Sequence, residues 1–514
     1  MPKPKVPRKI LKNSASLVKA LKQNQTPAQQ QARTLRQLLR RAEFTAFGNY
    51  YDFGGLLKAD DPVNAFQQLV PIVDYDQMYD AWWHRTIAGA PDITWRGKVK
   101  YFALSSGTAG ATSKYIPVTN DMTRAMRAAA LRMFACLPKY HLPAGLYTKD
   151  WLMIGGSASL SPMDSGAMSG DLSGINARKP PVWIRGYYKP GTRIARLKSW
   201  DERVTAISEL APKWDVGIIA GIPSWVQLTL ERIIADHGLN NIHELWPNLQ
   251  VFVSGGIAFE PYRRSFEQLL DHPIIYQDSY LASEGFIAFQ SRPGTQAMRL
   301  VLNNGIFYEF VPFDDAHFDE EGLPRPGAKA LTMDEVTTGV DYALLISTCA
   351  GAWRYLIGDT VRFTDTERAE VIITGRTKHF LSICGEHLSV DNMNKAIQIV
   401  EEKLGMAIPE FTVGGVKSGS HFAHHWYLGS DGQHPADGQM ALALDEALKI
   451  VNDDYGAERS AMLQPPIVQV VPVRRFYDWQ RERGKLNGQS KIPRVMRGSQ
   501  LAEWETFVAG EKTA

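Results

Sequence analysis

From about residue 70 onward, short apolar runs alternate with longer stretches in which apolar positions recur every three or four residues. Runs at 151–154, 216–219 and 249–253 read as strands, and 224–237 and 262–270 as helices. That alternation predicts a mostly parallel sheet covered by helices. Upstream, 27–39 reads as a helix opened by Thr26 as N-cap, with Pro27 at the first helical position. Another helical pattern starts with a capping residue and runs from 120 to 137. Beyond Thr374-Gly375-Arg376 the order changes to helix 390–404, strands 411–416 and 425–428, helix 439–453 and strand 467–473. No internal repeat is present. The pattern predicts an α/β fold: a large multi-layer α/β N-terminal body with a small α+β C-terminal lid domain. The expected divisions are a basic leader over 1–25, the body over 26–376 and the lid over 377–514.

Composition agrees with a water-soluble chain of more than one domain: 514 residues, 44% apolar and 22% charged. No run approaches the roughly 20 apolar residues that span a bilayer, and the N-terminus lacks the apolar core of a secretory signal. Three scattered cysteines (Cys136, Cys349 and Cys384) make neither a disulfide framework nor a zinc cluster. A cytoplasmic enzyme is expected. The net charge of +3 hides an asymmetry, because eleven lysines and arginines precede the first acid, Glu43, and the rest is net acidic. Nothing in that balance favours a nucleic-acid partner. Residues 10–21 have the spacing of a short basic amphipathic helix for a membrane surface. The plainer reading is a solvated, partly disordered leader, with no stable membrane insertion.

Candidate chemistry begins with SSGTAGATSK at 105–114. Small hydroxyl residues and glycines let backbone N–H groups approach phosphate oxygens, and a lysine adds positive charge. Both flanks, 101–104 and 115–118, read as strands, whereas a P-loop would run directly into a helix. Alone, the segment is equally a surface turn of small residues. Further on, 251–256 is a strand running into Gly255-Gly256, a backbone that can pass close to a flat ligand. In the segment 276–285, Tyr280 offers an aromatic face, Ser283 a hydroxyl and Glu284 a hard-cation ligand. Gly358-Asp359 at a strand's end suits ribose hydroxyls. Gly375-Arg376-Thr377-Lys378 and a late Lys491 complete the series. Singly, each is as easily a core tyrosine, a surface glutamate or a surface lysine.

Taken in order, S-S-G-T-x-G, Y-x-x-S-E, Y-x-x-G-D, G-R-x-K and a late lysine resemble the acyl-adenylate-forming superfamily. SSGTAGATSK, YLASEGF, WRYLIGDTVRF and GQSKIPR most resemble its Gretchen Hagen branch, the auxin-responsive acyl-acid amido synthetases. The likeness runs from about Phe102 to Arg494. It implies an ATP- and Mg²⁺-dependent ligase that adenylates a carboxylic acid, releases pyrophosphate and passes the acyl group to an amine, the amino group of an amino acid. It further implies that Ser105, Ser106, Gly107 and Thr108 hold the ATP phosphates and that Gly255 and Gly256 line the nucleotide. Tyr280 would stack near adenine, Ser283 would meet the α-phosphate, Glu284 would help hold Mg²⁺, and Asp359 and Arg376 would take the ribose. The lid would pivot at 377–380, and Lys491 would reach the carboxylate and α-phosphate during adenylation.

Departures are visible too. Ala109 stands where such loops carry a further hydroxyl, and 383–387 lacks the basic pair common in plant members, leaving open whether Lys378 or His387 meets the nucleotide after rotation. In the 120–137 helix the resemblance places Arg132 toward the substrate carboxylate, while helix surfaces commonly carry solvated arginines. His421, His424 and His425 lie beside strand residues with no second ligand cluster, so no metal is expected there. Trp183, Tyr187 and Tyr188 either wall a pocket or pack in the core. The chain offers no Ser-His-Asp arrangement. The alternatives are an acyl-CoA ligase of the same superfamily and a nucleotide-binding regulatory protein with a degenerate site. The identity of acid and amine, and the oligomeric state, are not legible.

Overall fold

The computed structural model describes residues 25–105, 114–155, 158–177, 186–197, 199–256, 259–319, 322–377, 381, 388–418, 421–452, 455–456, 459, 463–484 and 491–510. Residues 1–24 of the leader, Ser106, Gly107, Thr108, Ala109, Trp183, Lys378, Cys384, His387 and residues 486–490 therefore lie outside the described residues.

In chain order the strands open with β1 (Tyr101–Ser105), β2 (Lys114–Val118), β3 (Asp150–Ile154), β4 (Ser161–Pro162), β5 (Met168–Gly170) and β6 (Tyr188–Lys189). There follow β7 (Val216–Gly221), β8 (Val251–Gly255), β9 (Ile275–Ala282), β10 (Gly285–Phe289), β11 (Met298–Leu300) and β12 (Ile306–Pro312). The body ends with β13 (Asp341–Thr348), β14 (Tyr355–Asp365) and β15 (Glu370–Arg376). Its main sheet has the order β12-β13-β14-β15-β11-β10-β9-β8-β7-β3-β6, and β2-β1-β5-β4 make a smaller sheet.

Within the main sheet the expected parallel arrangement holds from β6 to β9, and along the sheet from β9 to β12 every pair is antiparallel. The physical reason is connectivity. Helices such as Pro223–His237 follow the parallel strands and supply crossovers, whereas β9–β10 and β12 to β15 are joined without one. Element boundaries also shift. Leu249 closes a turn on Trp246 before β8 begins, and the helix at 262–270 is Glu260–Glu267, because Leu269 and Leu270 bond back in turns. The predicted start at Thr26 is present as a reciprocal capping box with Gln29.

One apolar cluster lies under the antiparallel half, where Phe47, Phe53 and Phe66 ring Trp353. A second covers the parallel half through Trp225, Leu230 and Ile233. Buried Arg354 ties the two ends of the body's chain together. Its guanidinium pairs with Glu309 on β12 and donates to the carbonyls of Gln67 and Val70, both at 2.7 Å.

The C-terminal region folds on β16 (Glu410–Ser418), β17 (His421–Gly429) and β18 (Ile467–Val471), with helices Val390–Leu404 and Asp437–Val451 against that sheet. The stretch after Lys491 lies alongside β16: Val413 N donates to Arg494 O at 2.9 Å, and Met496 N to Val413 O at 2.8 Å. No described helix is long and apolar enough to cross a membrane.

Candidate active site

The site forms where the ends of β8, β9, β14 and β15 meet. Gly255 ends β8 because a side chain there would strike Ser279: an added Cβ would sit 2.7 Å from its Oγ. Gly256 follows at φ +90°, a region that favours glycine. On β14, Gly358 has φ +87°, and the β13–β14 register shifts between Ala343 and Leu345. This bulge aims Asp359, which pairs directly across the ladder with Arg376 on β15. Asp359 Oδ1 lies 2.8 Å from Arg376 Nε, and the Tyr280 hydroxyl donates to Oδ2 at 2.6 Å. Each carboxylate oxygen keeps a lone pair for a further donor. Tyr280 itself belongs to the central core, and it presents its hydroxyl to Asp359.

Ser283 and Glu284 form the tight turn between β9 and β10. Glu284 is buried, and burial raises its pKa to about 7; the negative charge of Asp359 adds to the rise, and Arg376 and Lys114 oppose it. Lys114 opens β2 opposite Ser105 at the end of β1, so the two flanks of the phosphate-loop segment are laid side by side. Its ammonium stands 5.0 Å over the Tyr75 ring.

Lys491 arrives from the C-terminal domain. A Cβ built on Gly256 would lie 3.6 Å from Lys491 Cε. Lys491 as a residue keeps solvent exposure, but desolvation of its ammonium and the guanidinium of Arg376 push its pKa below its usual value, while Asp359 and Asp171 pull it back up. Gly255, Gly256, Tyr280, Glu284, Asp359, Arg376 and Lys491 are thus brought into one neighbourhood, with Ser105 at its edge.

Arg132 is not drawn into that group. Its guanidinium donates to Asn303, and burial lowers its pKa. Its helix, Asn120–Phe134, does reach the site, since Met122, Ala125 and Met126 line a narrow crevice with Glu284 and Phe286. His424 and His425 lie on β17, and among the described residues no group of His, Cys, Asp or Glu could hold a metal on protein ligands alone. Mg²⁺ still fits the donor set, because this hard cation takes one or two carboxylates and completes its shell with phosphates and water. Tyr355, Tyr75 and Asp171 were missed in the sequence. Tyr355 lies inside WRYLIGDTVRF and interacts with Glu284, so its signal was available; Tyr75 and Asp171 carry no local motif.

The chain thus forms a large α/β body and a smaller C-terminal domain whose Lys491 reaches the converging strand ends of the body. The chain belongs to the GH3 family: its N-terminal domain matches residues 17–189, its central domain 299–371 and its C-terminal domain 391–500. A probable indole-3-acetic acid-amido synthetase, GH3.1, from Arabidopsis thaliana is 24% identical over 311 residues, covering 56% of this chain and 50% of that protein. The chain spans about half the length of the first curated relatives it matches. AtGH3.15 acyl acid amido synthetase, solved with 2,4-DB, superimposes with a TM-score of 0.76 at 18% identity, covering 98% of this chain and 97% of that one. A 2-hydroxyisobutyryl-CoA ligase in its postadenylation state shares the fold with a TM-score of 0.60 at 13% identity, over 93% of this chain and 92% of the other.

Proposed function

We propose that this protein adenylates a carboxylic acid with ATP, releasing pyrophosphate, and then transfers the acyl group to the amino group of an amino acid. The observation that carries this reading is the approach of Lys491, from one domain, to Gly256 and the Asp359–Arg376–Tyr280–Glu284 group of the other. The amide-forming names of its GH3 relatives support the choice of acceptor.

A carboxylate and the α-phosphate repel each other, so a positioned cation is needed as they approach. Lys491 supplies it as a point charge on a flexible stem. Asp359 accepts the ribose hydroxyls, held in place by Arg376 and the Tyr280 hydroxyl. Ser105, Ser106, Gly107 and Thr108 cradle the phosphates through their backbone, and Ser283 contacts the α-phosphate. Glu284 would hold Mg²⁺, which neutralises phosphate charge when bound. We assign the Asn120–Phe134 helix to the acyl-acid pocket, with Arg132 near its far end. The lid then turns about 377–380, the amine attacks the acyl carbonyl and AMP leaves.

A panel of acids screened for pyrophosphate release, with amino acids or CoA added afterwards, tests the reaction. Amide without thioester is expected; thioester alone would make the protein a CoA ligase, and no acid-dependent release would sink the enzyme reading. Lys491→Ala should lower acid-dependent pyrophosphate release by roughly 10²–10³, while amide formation from synthetic acyl-AMP persists. Equal loss in both halves would overturn the assigned role of Lys491.

A further inference from the structure

Glu410, at the start of β16, is 1% exposed and lies between the two domains. Its Oε1 accepts from the Tyr262 hydroxyl at 2.7 Å and from the Tyr477 hydroxyl at 2.8 Å, and its Oε2 accepts from Arg494 Nη1 at 2.9 Å. Arg494 Nη2 reaches the same Tyr262 hydroxyl at 3.3 Å, and its guanidinium lies 4.3 Å over the Phe411 ring. Tyr262 comes from the body, on the Glu260–Glu267 helix; the other three belong to the C-terminal domain. Tyr477 packs in turn against the body's second core, its ring 5.9 Å from Trp225. On the same body helix, Arg264 donates to the carbonyls of Met406 and Gly405 at 3.0 and 2.8 Å, just past the Val390–Leu404 helix.

Arg494 stands three residues beyond Lys491. Between them, Pro493 O accepts from Thr412 Oγ1 at 2.8 Å, and Gln480 Nε2 donates to Lys491 O at 3.3 Å. The backbone that carries the lysine is therefore held by β16, and β16 is held against the body through Glu410 and Tyr262. We infer that Tyr262, Glu410 and Arg494 are positioning residues: a latch that seats the lid with Lys491 over Gly256, used in adenylation and released before transfer.

The chemistry suits reversible use. A buried carboxylate stripped of all its partners would hold the domains together at prohibitive expense in free energy. Here Arg494 and Tyr477 travel with Glu410, so at this carboxylate lid rotation exchanges only the Tyr262 hydroxyl for water, while the Arg264 bonds to Met406 and Gly405 and the Tyr477–Trp225 contact also part. Tyr262 loses a strong charge-assisted bond, but no charge is left alone.

The inference rests on the proposed two-step reaction, and the test separates the two. Tyr262→Phe removes one hydroxyl and keeps the ring, and Glu410→Gln weakens the latch while keeping its shape. Fluorophores at exposed Gln268 and Leu442 report lid position without any substrate. In Tyr262→Phe the population at the parent's separation should fall, and acid-dependent pyrophosphate release should drop about 5- to 20-fold in kcat. The KM for acid should change less than about twofold, and amide formation from synthetic acyl-AMP should hold or rise. An unchanged distance distribution, or equal loss in both halves, overturns the latch. If no acid gives pyrophosphate with the parent, the reaction fails but the distance measurement still decides the latch.

Discussion

Asp359 joins three elements through one carboxylate: its own strand, β15 through Arg376 and β9 through Tyr280. Replacing it removes an acceptor that AMP would use and frees two groups that hold each other in place. Asp359→Ala should weaken AMP binding by about 1.5–3 kcal/mol, read by calorimetry; equal affinity would remove Asp359 from the nucleotide site. Glu284 makes a pH prediction. Burial favours its neutral form in the folded state, so the unfolded chain releases this proton first as pH rises. Stability should fall between the usual glutamate value and about 7, then level off. Glu284→Gln should abolish that fall, gaining up to about 3 kcal/mol at pH 8, measured by denaturant unfolding at several pH values. In the parent, Mg²⁺ and the proton compete for this carboxylate, so the magnesium needed for pyrophosphate release should decrease as pH rises through about 7. Glu284→Gln should need more magnesium than the parent above about pH 7, the two converging at lower pH; an unchanged requirement above pH 7 would mark Glu284 as structural.

At the scale of elements, WRYLIGDTVRF divides its labour along one strand entry. Trp353 and Arg354 build the body, and Tyr355 and Asp359 face the site. Arg354 and Glu309 are 7% and 0% exposed, and Arg354 adopts φ +42°. Arg354→Met leaves Glu309 buried without its cation and should destabilise the body by about 3–5 kcal/mol, visible as a lower denaturation midpoint. Loss below about 1 kcal/mol would show that the pair is not the tie between residues 67–70 and the sheet. The motif was readable as a nucleotide element, but its letters did not say which residues served the core. Solvent access decides that, and it depends on the helix at Pro62–Leu69, nearly 300 residues upstream in the chain.

Over the whole molecule, the proposed reaction needs two lid orientations, and the structure has the one that places Lys491 at Gly256. Probes on the body and on the Asp437–Val451 helix should change separation when a non-hydrolysable acyl-AMP analogue binds. An identical distance in every ligand state would rule out alternation. The large body with a smaller C-terminal domain, the helix at Val390–Leu404 and the strands flanking residues 106–113 were all legible in sequence, because periodicity and capping are local properties. The ordered motifs likewise marked Glu284, Asp359 and Lys491 as one group. Tertiary structure alone decided that β9 to β12 run antiparallel, that Arg132 turns to Asn303 and that Tyr262 meets Glu410. The last two are contacts between residues 171 and 148 positions apart. Spacing along a chain carries no record of which distant surfaces will exclude water together, and burial by those surfaces is what raises Glu284 and makes Glu410 a latch.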